Sequence, residues 1–490
     1  LGNACRELDA RHLFLAHHLD DQAETILMRI AEGKKSRAIV GMSSVGNIPE
    51  CYGIHGVHQS GGCLVAITPP ASLPPGKNQQ QKDRMSIEAG KPQINDRKVL
   101  ALPAYCPEES IRSIRTEKAV EFSNADSIRL DAPLCEEGGV RVFRPLLAYR
   151  KAELVATCNS EAMEWFEDVT NADPTLTTRN AVRRIYQKYA LPATLAPVAL
   201  VNIANDIRQV VEHNIFMVKR EFHEQYHNGL DTRTGTLITS LTFDSAVSLN
   251  DPESSDQILS GRRMKSAILL RGIIQCLSPQ EHVPMAKVMN KLMDVFPQLN
   301  SANEQIIEAT KTFTVAGVKF ELLETRRSAN IKSHQNESPG TEPVFGDNTW
   351  RISRQPYTAD ISTHPLLVFL PHVKGSYLPL SKVPKWRLYD GRYWITIKNL
   401  GCHTLHVRPF RKEDLQPFLE GLDKTTLKTA KGLLKDFAPG PIRWTLPAIV
   451  SVDEANVERV VALPSLGIRT DSARPVFDYD IRFKKISDLI

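Results

Sequence analysis

No two of the eight cysteines, at positions 5, 51, 63, 106, 135, 158, 276 and 402, form a C-x-x-C pair. Without paired thiolates a structural zinc site or a cysteine-held iron–sulfur cluster is not expected. Single scattered cysteines read as reduced core residues of an intracellular protein. No apolar run approaches the length of a bilayer span, so a soluble protein is expected. No secretory or transit segment is recognisable at Leu1. Nor is there a strong excess of one charge. The 61 Lys and Arg stand against 56 Asp and Glu, a formal +5, so affinity for a polyanion would have to come from a local patch. What remains is ordinary globular material, 42% hydrophobic and 24% charged. Its 490 residues leave room for about three domains.

The most informative stretch is His17-His18-Leu19-Asp20-Asp21-Gln22-Ala23-Glu24-Thr25. It follows the apolar run Leu13-Phe14-Leu15-Ala16 and precedes the amphipathic Ile26-Leu27-Met28-Arg29-Ile30, an order that predicts a buried strand, a tight connection and a helix. In open α/β sheets ligands sit where strands end and helix N-termini begin. Adjacent carboxylates and imidazoles are costly to bury there unless something charged needs them. The plain alternative is helix capping by Asp20 or Asp21, with Asp21 and Glu24 at capping-box spacing.

Two further blocks follow. Arg144-Pro145-Leu146-Leu147 leaves a short strand, Val140 to Phe143, and enters a helix through Arg150, Glu153 and Leu154. Then come Trp165-Phe166-Glu167-Asp168-Val169-Thr170-Asn171-Ala172-Asp173 and Arg179-Asn180-Ala181-Val182-Arg183. HHLDDQAET, RPLL, WxEDxTNxD and RNxxR in this order resemble the tRNA(Ile)-lysidine synthetase family, a branch of the PP-loop ATP pyrophosphatases. Arg29, Gly33 and Gly41-Met42 fit the usual continuation of the first block. The resemblance is strong over residues 12–42 and 141–190 and diffuse elsewhere. The family's nucleotide loop, Ser-Gly-Gly-x-Asp-Ser, is expected ahead of HHxDD and does not occur in these residues. Ser60-Gly61-Gly62 follows the block and lacks the Asp and second Ser, so it reads as an ordinary loop. A truncated or mispredicted N-terminus is the expectation. Thiolating relatives in the superfamily carry paired cysteines, which argues against a tRNA thiolase.

The expected fold class is α/β, a partial Rossmann-like PP-loop ATPase domain followed by a helical region and a mixed α+β C-terminal region. The PP-loop domain is expected over 1–192. Its stretch 68–96, with Pro69-Pro70, Pro74-Pro75-Gly76 and Gln79-Gln80-Gln81, reads as a mobile insertion. A mainly helical region is expected over 193–325, including one buried helical stripe from Ile203 to Phe222. His213, His223 and His227 there read as surface histidines. A linker over 326–349 and an α+β region over 350–490 complete the chain. Hairpins are expected around Ala316-Gly317 and Asp390-Gly391, a strand over Ile442 to Val450 and two helical segments within 412–437.

The resemblance implies a reaction. ATP adenylates the C2 oxygen of the wobble cytidine of tRNA(Ile), free lysine attacks C2 through its amine, and AMP leaves. Pyrophosphate departure calls for Mg²⁺ on hard oxygens, with Asp20 and Asp21 the nearest ligands. The lysine ammonium must lose a proton, and His17, Asp20 or Asp21 are the catalytic candidates. His18 and Glu24, with Arg144, Arg150, Glu167 and Asp168, are candidates for holding nucleotide or substrate. Arg suits phosphate, adenylate or carboxylate bidentately. Arg179, Arg183, Arg184 and Lys188 form one potential basic helix face for tRNA, and Asn180 a hydrogen-bonding position beside it. The competing expectation is a non-catalytic tRNA-binding protein. The compartment is expected to be cytoplasmic or mitochondrial.

Overall fold

Parallel pairing of two short strands far apart in the chain brings the motif blocks together. In the computed structural model, which describes residues 1–34, 39–63, 131–166, 169–173, 175–225, 229–241, 255–299, 311–323, 348–371, 385–470 and 476–486, the chain opens with α1 (Gly2–Glu7), β1 (His12–Phe14), α2 (Leu19–Ala31), β2 (Val45–Asn47), β3 (Gly61–Cys63), β4 (Glu136–Gly138) and β5 (Arg141–Phe143). The expected insertion at 68–96 lies outside the described residues.

The central strand β5 runs parallel to β1, with His12 beside Arg141 and Phe14 beside Phe143, and antiparallel to β2. The chain therefore leaves β1 and β5 at the same end, and residues 15–18 emerge next to 144–150. Cys5, Ile48, Val57, Val140 and Val142 form the small core under this sheet. Helices α3 (Lys151–Ser160), α4 (Thr178–Lys188) and α5 (Pro197–Gln225) follow. Leu19, Ala23 and Ile26 lie three or four residues apart on one face of α2, and they bury against Leu200, Val201 and Ala204 of α5.

Next come β6 (Leu230–Asp231), β7 (Thr236–Ser240), α6 (Ser255–Leu277), α7 (Met285–Met289), α8 (Leu292–Val295), the hairpin β8 (Thr312–Val315) and β9 (Val318–Leu322), and β10 (Thr349–Arg354). Their five-stranded sheet has the order β6-β7-β10-β9-β8. This corrects the expected division at 326–349: β10, from beyond it, pairs with both β7 and β9. Trp350 and Ile352 of β10 are buried in the same core as Phe313 and Phe320, so apolar burial joins what composition separated. Residues 324–347 themselves lie outside the described residues.

The remainder contains β11 (Leu367–Phe369), β12 (Arg387–Tyr389), β13 (Tyr393–Asn399), β14 (Thr404–Pro409), α9 (Leu415–Glu420), α10 (Lys424–Asp436), β15 (Pro447–Val452), β16 (Glu458–Leu463), β17 (Ile468–Arg469) and β18 (Phe477–Phe483). These strands make the sheets β11-β14-β15-β16-β17 and β12-β13-β18. Asp390 and Gly391, with φ of 47° and 58°, are the left-handed central pair of the turn over residues 389–392 that joins β12 to β13. The strand expected from Ile442 starts only at Pro447. Gly440–Thr445 is a 3-10 turn, set up by Pro439 and Pro441, whose fixed φ suits a helical first turn. Among the described residues no helix is long and apolar enough to cross a membrane.

Candidate active site

The HHxDD block is the N-terminus of α2. His18 is its N-cap: Nδ1 accepts the Asp21 amide at 3.4 Å, while Asp21 Oδ2 accepts the His18 amide at 3.1 Å. The capping box is thus His18 with Asp21, not Asp21 with Glu24, because the backbone turns helical at Leu19. Asp20 points the other way. Its Oδ2 accepts the Lys151 amide at 2.8 Å, in the first turn of α3, where unpaired N–H groups favour an anion.

Asp21 and Glu24 are buried, and α4 supplies their counter-charges. Arg183 donates from Nε to Glu24 Oε1 at 2.8 Å and from Nη2 to Asp21 Oδ1 at 3.1 Å. Its Nη1 donates to Asn171 Oδ1 at 2.8 Å. Arg179 lies with Nε 3.6 Å from Glu24 Oε2 and donates from Nη2 to Thr25 Oγ1 at 3.0 Å. Burial pushes the Glu24 carboxyl up, with Arg183 and Arg179 opposing it. The Arg183 guanidinium, though partly desolvated, is held charged by Glu24 and Asp21. Two cations expected to face tRNA therefore face protein carboxylates, since an unpaired buried carboxylate costs more than a surface arginine gains. Arg184 and Lys188 are exposed.

Asn180, buried, donates from Nδ2 to the carbonyls of Thr170 and Asp173 at 2.9 and 2.8 Å. Its own amide donates to the N-cap Thr177. It therefore ties the TNxD turn to α4. Asn171 belongs to the same arrangement and was missed as a site residue, although it stands inside the quoted WxEDxTNxD block. Glu167 and Asp168 lie outside the described residues.

Arg144 leaves β5 and donates from Nη1 to the Ser43 carbonyl at 3.0 Å, while its Nε is buried without a hydrogen-bond partner. Burial lowers its pKa. His17 Nδ1 is likewise buried without a hydrogen-bond partner. Burial first, then Arg144, Arg179 and His18, lower the His17 pKa against the opposing pull of Asp21. The imidazole is therefore neutral at pH 7. Arg150 is exposed at the N-cap of α3, where its amide donates to Glu153 Oε2 at 2.8 Å.

The expected magnesium pair does not fit. Asp21 Oδ2 accepts the His18 amide and Oδ1 meets the Arg183 guanidinium, so a dication at Asp21 would stand against a resident cation. Among the described residues no group of three or more His, Cys, Asp or Glu is arranged to hold a metal ion. Ser60-Gly61-Gly62 is no nucleotide loop either. The amides of Gly61 and Gly62 donate to Oε2 of the buried Glu136 at 3.2 and 3.0 Å. Glu136 Oε1 meets His55 Nε2 at 2.9 Å and Arg482 Nη1 at 3.0 Å. This anion nest is filled by the protein's own carboxylate.

Residues 1–54 and 122–189 match a family model described as a PP-loop domain. Over 476 residues, 95% of this chain and 71% of the relative, the sequence is 24% identical to the "Probable tRNA(Ile)-lysidine synthase" of Schizosaccharomyces pombe. The match brackets β1, α2, β5 and α4, the elements that assemble the site. The chain thus carries a PP-loop domain, and its similarity to a tRNA(Ile)-lysidine synthase runs far beyond that domain, in keeping with the resemblance read from its motifs.

Proposed function

We propose that this protein modifies tRNA(Ile) by ATP-dependent ligation of lysine to the wobble cytidine. The observation that carries this reading is the assembly of HHxDD, RPLL and RNxxR at one end of β1 and β5, with a neutral imidazole beside an incompletely bonded guanidinium. In the proposed reaction the C2 oxygen of the cytidine attacks the α-phosphorus of ATP and pyrophosphate leaves. The uncharged amine of lysine then forms the C–N bond at C2, and AMP departs with the oxygen.

The chain's own groups suit this division of labour. Arg144 faces the anion, phosphate or adenylate, with its unpaired Nε. His17, neutral and able to accept a proton, is the favoured base for the lysine ammonium. Asp21, locked to Arg183, is the weaker choice. Asp20, partly exposed at the first turn of α3, supplies a negative charge near the incoming amine. Arg179 and Arg183 hold the α2 carboxylates rather than RNA, and Arg184 with Lys188 remain for phosphate contact. The non-catalytic alternative loses two of its four cations to this arrangement.

The test uses the complete polypeptide with ATP, lysine and an unmodified tRNA(Ile) carrying the wobble cytidine. Lysine-dependent AMP release with conversion of that cytidine to lysidine, read by nucleoside mass spectrometry, is the expected result. tRNA binding with no lysine-dependent AMP release would sink the reading.

A further inference from the structure

Residues Val40 to Ser44 run beside the candidate site, and each of their carbonyls accepts a hydrogen bond from a distant part of the chain. Gln22, 2% exposed, clasps Met42 from both sides: Nε2 donates to its carbonyl at 2.7 Å and Oε1 accepts its amide at 2.6 Å. Arg29 Nη1 donates to the Gly41 carbonyl at 3.0 Å. Arg208, from the middle of α5, donates from Nη2 to the carbonyls of Val40 at 2.6 Å and Met42 at 3.1 Å, and its Nη1 is oriented by Asn205 Oδ1 at 2.8 Å. Gly41 has φ +74°, and a Cβ there would sit 2.6 Å from Gln22 Oε1, so the close approach requires glycine. The next two carbonyls hold Arg144: Ser43 accepts its Nη1 at 3.0 Å and Ser44 its backbone amide at 2.8 Å.

Water could satisfy such carbonyls on a surface segment. Three long side chains from two helices instead fix the strap in one conformation, and its next two carbonyls hand that position on to Arg144. We infer that Arg208, which lies outside the residues matched to the PP-loop domain, is a positioning residue that aims the Arg144 guanidinium through the Val40–Ser44 strap. The inference rests on the proposed function for the identity of the anion Arg144 meets. Support of this kind, one bond removed from the contacting group, is what keeps a site within productive geometry.

The test compares Arg208→Met, Arg208→Lys and Arg144→Lys, alone and combined, in the full polypeptide. Arg208→Met is expected to raise KM for ATP or lysine about tenfold, at the low end of the ~10–100-fold losses for such supporting groups, with kcat changed by less than about twofold. Arg208→Lys, which keeps a donor, recovers part of the loss. In the Arg144→Lys background the added Arg208→Met step has less than about twofold effect, because residues acting through one another are not additive. A purely structural Arg208 would instead lower kcat with the folded fraction and leave both KM values unchanged, which overturns the inference. If the parent protein makes no lysidine, the proposed function fails separately. Inorganic pyrophosphate binding by calorimetry then decides: weakening in both Arg144→Lys and Arg208→Met supports the inference, whereas equal binding in parent and Arg208→Met, or no binding by the parent, overturns it.

Discussion

The two ends of this chain are held together by different physics. Around α2 the shared core is slight: Leu19, Ala23 and Ile26 against Leu200, Val201 and Ala204. Position there is set by charged and amide side chains reaching across, Arg183 to Glu24 and Asp21, Gln22 to Met42, Asn180 to the TNxD turn. The later sheets share one large apolar core containing Trp350, Phe320, Tyr393 and Phe483. Its buried ions serve as braces. Arg392, fully buried, meets Asp390 at 2.8 Å and donates to the carbonyls of Thr234 and Thr445. Apolar packing is tolerant in detail, whereas a directional bond holds an angle. Polar bonds therefore set the position of groups around α2, and burial sets the packing of the later sheets.

The largest break should come from the apolar side. Trp350→Ala removes a ring that meets Phe313 and Phe320 edge-on and donates from Nε1 to Asn348 Oδ1 at 2.8 Å. A loss of about 3–5 kcal/mol is expected, measured from the denaturant midpoint, with KM values of the remaining folded protein unchanged. A shift in KM comparable to that of Arg208→Met would mean the two regions are not separable in this way.

Arg183→Met should cost about 3 kcal/mol, the lower end for breaking a buried pair, because the Arg183 side chain keeps 25% exposure. Activity should fall with it. Adding Glu24→Met should restore only part of the stability, since Asp21 keeps a buried carboxylate without the Arg183 guanidinium, and should not restore activity. If the double variant is as active as the parent, the ion network is only a fastener.

His17 sharpens the comparison through pH. Its folded pKa lies below 6.5 because of burial and the neighbouring cations. As pH falls below 6.5 the unfolded chain takes up this proton first, so the stability from neutral His17 is present above that pH and is lost as pH falls through the folded value. The acid limb of kcat/KM should accordingly lie below pH 6.5 and flatten in His17→Gln. An unchanged limb would move the base elsewhere. The smallest effect belongs to the surface. Arg184→Ala with Lys188→Ala should lower the salt dependence of tRNA binding by about 0.7–0.9 in log–log slope for each phosphate that is no longer neutralised, with KM for ATP unaltered. No change in slope would mean that α4 does not touch the RNA.

Much of the fold was legible where a local rule dominates. Thr312 to Leu323 and Asp390-Gly391 form the hairpins that their turn residues demand; α5 spans the stretch from Ile203 to Phe222, but the expected buried stripe is broken, with Ile203 and Val210 exposed while Val218 and Phe222 are buried. Periodicity also predicted the helix through Ile26 to Ile30, but α2 begins earlier, at Leu19, so Asp20 and Asp21 stand in its first turn rather than in a connection. What it could not show is direction. Arg179 and Arg183 follow one another at helical spacing whether they face solvent, RNA or a carboxylate. Only the packing of α4 on α2 turns them inward onto Glu24 and Asp21. The same holds for β10, separated in sequence from the sheet it completes, and for Ser60-Gly61-Gly62, whose anion proved to be Glu136. The sequence by itself determined which residue types stand at the strand ends, and with them the PP-loop resemblance, because those are local and compositional. The partners of each charge were decided only by the tertiary structure, because burying a carboxylate requires a cation that the fold must bring from more than a hundred residues away.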